Sequence, residues 1–322
     1  MAIIQQPSPL SLLGNLPPFE ITGSSPVNFT LKDGSTILAS EVYQPSPAGN
    51  VIIDVRQLIE GRLTFAVKTD NLYEQTSIAK TFTAIIDSQT ITFKVLRAGV
   101  ANLADTVNNF LKGNFLTWQP TSKEVSYSSP EWLTYYAVEA GTLKLKAYFD
   151  DGTSTTYTIG ALTAGKAYTA NMQYSHRAGI MGKYPTHYDV WVESTAGTPL
   201  TYTQRYLYSL QKSELEQWVL FENSVGGIDT VRTSGATELS GDHTYNTSTV
   251  DGVSTEFRID THRNYTQHTG ALDVYERRWL LDLFPARQKY VHHAGAIRPI
   301  VLTADRSKYS TDDLPSSHSF TF

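Results

Sequence analysis

Apolar and polar residues alternate with a period of two along most of this chain, the pattern of strands that bury one face. Phe19–Thr22 and Val27–Leu31 alternate in this way, and Lys32-Asp33-Gly34-Ser35 predicts a tight turn into Thr36–Tyr43. Val51–Val55 follows a Pro- and Gly-containing loop. Leu63–Lys68 reads as a strand after one helical turn over Arg56–Glu60, and Phe82–Ile86 and Thr90–Leu96 fold back on each other across Asp87-Ser88-Gln89. Through about residue 98 this rhythm predicts a small immunoglobulin- or fibronectin-like sandwich.

The period then changes. Val100, Leu103, Val107, Phe110 and Leu111 fall at helical spacing, with Gly113 placed to close a helix over Gly99–Gly113. Phe115–Pro120 and Tyr127–Pro130 are aromatic and bounded by proline, so 99–130 is expected to be a helical and aromatic connector. Alternation returns in Leu133–Val138, Thr142–Phe149 and Thr153–Ile159, the last two joined by the hairpin signal Asp150-Asp151-Gly152. Leu162–Tyr168 reads as a turn into another strand, and Tyr188–Ser194 and Leu200–Tyr208 as a hairpin across Ala196–Pro199. A second sandwich module over 131–211 results.

The last module, 212–322, opens on the stretch around which the chain is organised. Trp218–Phe221 and Ile228–Thr233 are β-prone, and Asn223-Ser224 with Gly226-Gly227 predicts a sharp turn between them. Gly241–Gly252 is polar and reads as a loop, and Ser254–Arg263 as a strand. Asp273–Leu283 reads as a helix carrying Tyr275, Trp279 and Leu283 on one stripe, with Asp273 at its positive end and Pro285 as its stop. Gln288–His292, Ile297–Thr303 and Ser317–Phe322 close a β domain with one packed helix. The expected class is mainly β: tandem sandwiches at 1–98 and 131–211, then the domain at 212–322 with its helix at 273–284.

Composition narrows the function classes. The chain has 322 residues, no cysteine and a formal net charge of −5. The missing cysteines exclude disulfides, thiolate metal sites and cysteine nucleophiles, and the charge balance offers no footprint for nucleic acid. No apolar run reaches the ~20 residues of a membrane span. Met1–Leu10 does not read as a signal peptide, so synthesis and assembly in a cytoplasm are expected.

Chemical candidates each meet a blander reading. All eight histidines follow residue 175, and His292-His293 are adjacent, but neighbours in a strand point to opposite faces and do not chelate together. His187 with Asp189, and Asp242 with His243, are possible acid/base pairs, yet no serine sits in a nucleophile elbow. Glu222, Asp229, Asp260 and Asp273 offer carboxylates without a geometry to pair them. Val225-Gly226-Gly227 is too short to cradle phosphate. The glycosylation patterns at Asn28, Asn246 and Asn264 lack a secretory context, and the closing Ser-Phe-Thr-Phe lacks the lipid-facing periodicity of a membrane barrel. No catalytic, cofactor or metal residue is assigned. Nineteen tyrosines and five tryptophans would suit a carbohydrate platform if they line one face.

Five segments, Phe115–Pro120, Pro130–Tyr135, Trp218–Thr230, Tyr275–Leu281 and Pro299–Thr303, together resemble uncharacterised proteins carried by phages and prophages of Bacteroidetes bacteria. The helix followed by strands near the C-terminus is also similar in outline to tail-tube and distal-tail domains. The resemblance implies a non-enzymatic virion protein of the tail or baseplate, assembled in the host cytoplasm as a repeated subunit beside other virion proteins. The alternative is a carbohydrate-binding protein that attaches to host surface glycans through exposed aromatics; a glycan hydrolase is a third.

Overall fold

In the computed structural model, residues 1–211, 216–293, 295–303 and 316–322 are described; the boundary expected at 212 lies outside them. Half of the chain is strand, arranged in several discrete sheets with a few short helices. Two compact units are formed, one from Met1–Tyr208 with Glu222–Asp229, the other from Ser209–Phe221 with Thr230–Phe322.

The first unit contains two layered cores. In one, Phe19 and Ile21 of Phe19–Thr22 and Val51 and Ile53 of Asn50–Ile53 face Val27, Phe29 and Leu31 of Val27–Asp33 and Phe82, Ala84 and Ile86 of Ala79–Ile86. Alternate positions supply the buried residues, as a half-buried strand requires. The five-stranded sheet here runs Leu10–Leu12, Gln89–Leu96, Ala79–Ile86, Val27–Asp33, Thr36–Tyr43, and its first pair is parallel. In the other core, Ser122–Val125, Gln204–Tyr208, His187–Ser194, Gly141–Tyr148 and Ser154–Leu162 form a five-stranded sheet in that order. Its inward Leu143, Leu145, Ala147, Tyr188, Val190, Val192 and Tyr206 pack with Leu133, Tyr135 and Ala170 of a three-stranded sheet. That smaller sheet is completed by Leu72–Glu74, which pairs with Lys166–Asn171.

Several elements differ from the sequence reading. Leu63–Lys68 is not a strand: Ala66 N–H donates to Gln75 Oε1 at 3.1 Å and Lys68 N–H to the Tyr73 hydroxyl at 3.1 Å, so side chains replace a ladder. The helix expected over Gly99–Gly113 forms only at Val107–Gly113, started by Thr106, whose hydroxyl accepts from Asn109 N–H. Upstream, Asn15 binds both the N–H and C=O of Val100, at 2.8 and 2.7 Å, and holds that segment out of a helix. Ser122–Val125 forms a strand within the expected connector, and Tyr174–Met181 a helix that ends at Gly182 with φ +65°.

The order Ile228–Thr233, Gln217–Glu222, Lys289–His293, Ala296–Pro299 makes a four-stranded sheet, all of it but Glu222, Ile228 and Asp229 in the second unit. The C-terminal helix is shorter than expected, Val274–Leu280. Asp273 starts it through a capping box, accepting from Glu276 N–H at 2.7 Å while Glu276 Oε2 accepts from Asp273 N–H at 2.9 Å. Trp279, Leu280 and Leu283 pack with Val219, Phe221 and Val231. Gly241–Gly252, expected as a loop, falls largely in the strand Thr237–Val250, which pairs antiparallel with Val253–His268. Its polarity reflects a stretch of ribbon that no core among the described residues covers. Among the described residues, no helix is long and apolar enough to cross a membrane.

Candidate functional site

Three features carry chemistry or unusual exposure. The first is a buried polar chain in the first unit. Asp229 accepts from the Thr117 hydroxyl at 2.7 Å, that hydroxyl accepts from Gln119 N–H at 3.0 Å, and Lys123 Nζ donates to Gln119 Oε1 at 3.2 Å and to Glu131 Oε2 at 2.7 Å. Gln119 Nε2 donates to the Tyr206 hydroxyl at 3.1 Å. Burial pushes the Glu131 carboxyl up to about 7; the Lys123 ammonium opposes that shift and the Asp229 carboxylate adds to it. All of these side chains are buried, so the chain acts as an internal brace rather than as groups presented to a substrate.

The central turn, Glu222–Asp229, is part of the same unit. Asn223 Oδ1 accepts from Val225 N–H at 3.1 Å and Gly227 N–H at 2.9 Å, and its Nδ2 donates to Leu116 O at 2.9 Å. Gly99 N–H donates to Ser224 O at 2.7 Å, and Arg97 pairs with Glu222. Gly226 has φ +90°, and a Cβ on it would stand 1.9 Å from Arg97 O. Glycine is dictated here by backbone approach, not by a phosphate.

The second feature is a cleft of about 230 Å³ lined by Lys146, Tyr148, Asp189, Trp191, Pro199 and Thr203. Alternation in Gly141–Tyr148 and His187–Ser194 sends Lys146, Tyr148, Asp189 and Trp191 to the face opposite the core, and register sets Lys146 beside Asp189 and Lys144 beside Trp191. Asp189 is only 6% exposed, and Arg205 grips it at 2.7 and 2.8 Å. Trp191 Nε1 donates to Glu193 Oε1 at 2.9 Å, which fixes the indole, and Tyr148 stacks on His187 with ring centres 4.3 Å apart.

The third feature is the ribbon of Thr237–Val250 and Val253–His268, about 45 Å long at strand rise. Asp251 and Gly252, both with positive φ, make its turn. The cross-strand pairs Leu239–Tyr265 and Tyr245–Ile259 share one face; Asn246–Arg258, Thr244–Asp260, Asp242–His262 and Ser240–Asn264 share the other. Tyr245 and Ile259 are 57% and 51% exposed, and Phe257, the extra residue of a bulge, 68%. Among the described residues only Ser319–Thr321 extends this sheet, pairing with Thr266–His268.

The candidate groups read from sequence are dispersed. His187 Nδ1 faces the Thr186 hydroxyl, not Asp189, which Arg205 holds. Asp242 accepts from Asn264 Nδ2 at 3.0 Å while His243 meets the Thr261 hydroxyl. Glu222 pairs with Arg97, Asp260 with Arg258, and Asp273 caps its helix. The His292 ring lies edge-on to Trp218; the His293 side chain is outside the described residues. Among the described residues no three His, Asp or Glu are grouped to hold a metal ion. Of the cleft residues the sequence singles out only Asp189, as a partner for His187; the others go unmarked because parity gives the face and only register gives the neighbour. No protein-family model and no curated protein matches the chain.

Proposed function

We propose that this chain is a non-enzymatic structural subunit that works as a repeated copy in an oligomeric particle, its ribbon pairing with a second copy of the same chain. The observation that carries it is the uncovered, two-faced ribbon. A two-stranded ribbon is marginal in water by itself and gains stability from a third strand or a covered apolar face. Here the outer edge of Thr237–Val250 has no paired strand among the described residues, and one face offers Leu239, Tyr245 and Ile259 beyond Tyr265, which stacks on Phe322. Exposed edges of this kind are templates for pairing with another chain.

A second copy fits this surface because it supplies an identical edge of the same length and the same apolar pairs, which a two-fold or cyclic arrangement brings together. The acidic groups Asp242, Asp260 and Glu238 lie on the opposite face and stay solvated. A tail or baseplate position agrees with the sequence resemblance to phage-borne proteins, and the two layered cores of the first unit agree with tandem immunoglobulin-like sandwiches.

Light scattering behind a sizing column, over a hundredfold range of concentration, tests this. A discrete oligomer is expected for the native chain, and monomer for Tyr245→Asp and Ile259→Asp with the far-ultraviolet circular dichroism unchanged. A native chain that stays monomeric throughout, or an oligomer indifferent to both substitutions, overturns it.

A further inference from the structure

We propose that the cleft beside Trp191 is a saccharide-binding site, taking a neutral sugar ring against the indole face with its hydroxyls toward Asp189, Lys146 and Thr203. This site lies in the first unit and is independent of the ribbon.

Sugar rings present an apolar face of C–H bonds and an equatorial belt of hydroxyls, each both donor and acceptor. A receptor therefore needs a fixed flat aromatic and a few fixed polar groups of both kinds. Trp191 meets the first requirement: its N–H is engaged by Glu193 at 2.9 Å, so the ring plane is set and the polar edge is already satisfied. Asp189 meets the second. Its carboxylate is almost fully buried and is held by two Arg205 N–H groups, leaving further lone-pair positions on a pre-positioned acceptor that lines the cleft. Lys146 supplies a donor across the strand pair from Asp189, and Thr203 a group that does either.

Size and charge choose among ligands. About 230 Å³ is less than the ~300 Å³ at which drug-sized pockets begin, which suits one ring of a longer chain emerging along the sheet. Arg205 is paired with Asp189 and Lys144 with Glu193, so Lys146 alone adds net positive charge to the cleft, too little to select a polyanion. Tyr148 is already stacked on His187 with Lys146 Nζ 5.0 Å from its ring centre, so it forms a rim and Trp191 the platform.

The full chain, fluorescently labelled, is screened on an array of neutral and acidic oligosaccharides, and the best neutral oligosaccharide is then titrated by protein-observed NMR. Binding to neutral glycans is expected, weakened about tenfold or more in Trp191→Ala and several-fold in Lys146→Gln. It should be unchanged in Tyr275→Ala, which removes an exposed aromatic of the second unit. Repeating the titration on Ile259→Asp separates loss of the site from loss of avidity. No bound glycan at millimolar concentration overturns the proposal. So does binding that survives Trp191→Ala with an intact fold, or binding to acidic glycans alone.

Discussion

Removing one partner of the Lys123–Glu131 pair should destabilise the first unit far more than removing both. At 2.7 Å, with the effective dielectric of about 20 that describes such sites, the attraction is about 6 kcal/mol. Against this stands a desolvation penalty of several kcal/mol for each ion, since the Lys123 and Glu131 side chains are only 6% and 3% exposed. Desolvation is the larger, as the raised Glu131 carboxyl shows, so the ionised pair adds no net stability. Lys123→Met abolishes the attraction and leaves Glu131 buried beneath the same roof. A loss of about 3–5 kcal/mol is expected at pH 8, while Lys123→Met with Glu131→Gln should return to within about 1–2 kcal/mol of the native chain.

The pH dependence follows from the sign of the shift. Glu131 is raised from 4.5 to about 7 in the folded state, so the folded protein holds that proton more tightly than the unfolded one. Its ionisation carries no penalty below about pH 4.5, an increasing one between 4.5 and 7, and the full one above 7, on the order of 3 kcal/mol. Glu131→Gln should flatten this slope, and Lys123→Met should extend it to higher pH. Urea titrations from pH 4 to 8.5, followed by tryptophan fluorescence, report it: Trp132 is buried next to Glu131 in the chain and donates to Lys68 O at 3.0 Å. A double variant as unstable as Lys123→Met alone, or a single variant within 1 kcal/mol of native at pH 8, would refute the reasoning.

Two further substitutions test the frame. Gly226→Ala combines an unfavourable φ of +90° with a Cβ 1.9 Å from Arg97 O; a loss of at least ~3 kcal/mol is expected, seen by calorimetry as a fall of several degrees in the transition of the first unit. Asp273→Ala removes the capping box of Val274–Leu280 and should cost about 1 kcal/mol, measured as a lower urea midpoint for the second unit with an unchanged m-value.

Much of the strand content was legible because it lies over a core. In Val27–Asp33 and Gly141–Tyr148 alternate residues are buried, and the Asp150-Asp151-Gly152 signal does join two paired strands. Partners distant in the chain were not legible. Leu72–Glu74 joins a sheet built by residues nearly a hundred positions later, and Leu10–Leu12 runs parallel to Gln89–Leu96; neither short strand carries a pattern that names its neighbour. Trp132–Ala137 is buried at every position, so alternation there says nothing of face. The Lys123–Glu131 pair was hidden for another reason: Lys123 falls in the connector expected over 99–130 and Glu131 opens the module expected after it, so nothing in the sequence sets the two side by side.

The ribbon is where sequence and environment diverge most usefully. Gly241, Asp242, Asn246 and Asp251-Gly252 lower β-propensity and make Gly241–Gly252 read as a loop, yet fourteen consecutive residues of Thr237–Val250 pair in register, apart from one bulge. A strand with a core behind it shows its pattern as hydrophobic against polar. This one shows only Leu239, Tyr245, Ile259 and Tyr265 on one side of a polar field, because beyond Tyr265, which stacks on Phe322, no described part of its own chain covers that side. A face with too few apolar groups to fold against an interior, yet too many for a surface intended for water alone, matches an intermittent contact of the kind made between subunits, where a polar rim surrounds a small apolar centre. The bulge at Phe257 adds twist that limits indiscriminate edge-to-edge growth. If the proposed ribbon pairing holds, this twist biases it toward a closed set of copies rather than an open fibre, and a discrete oligomer is the form in which assembly should be observed.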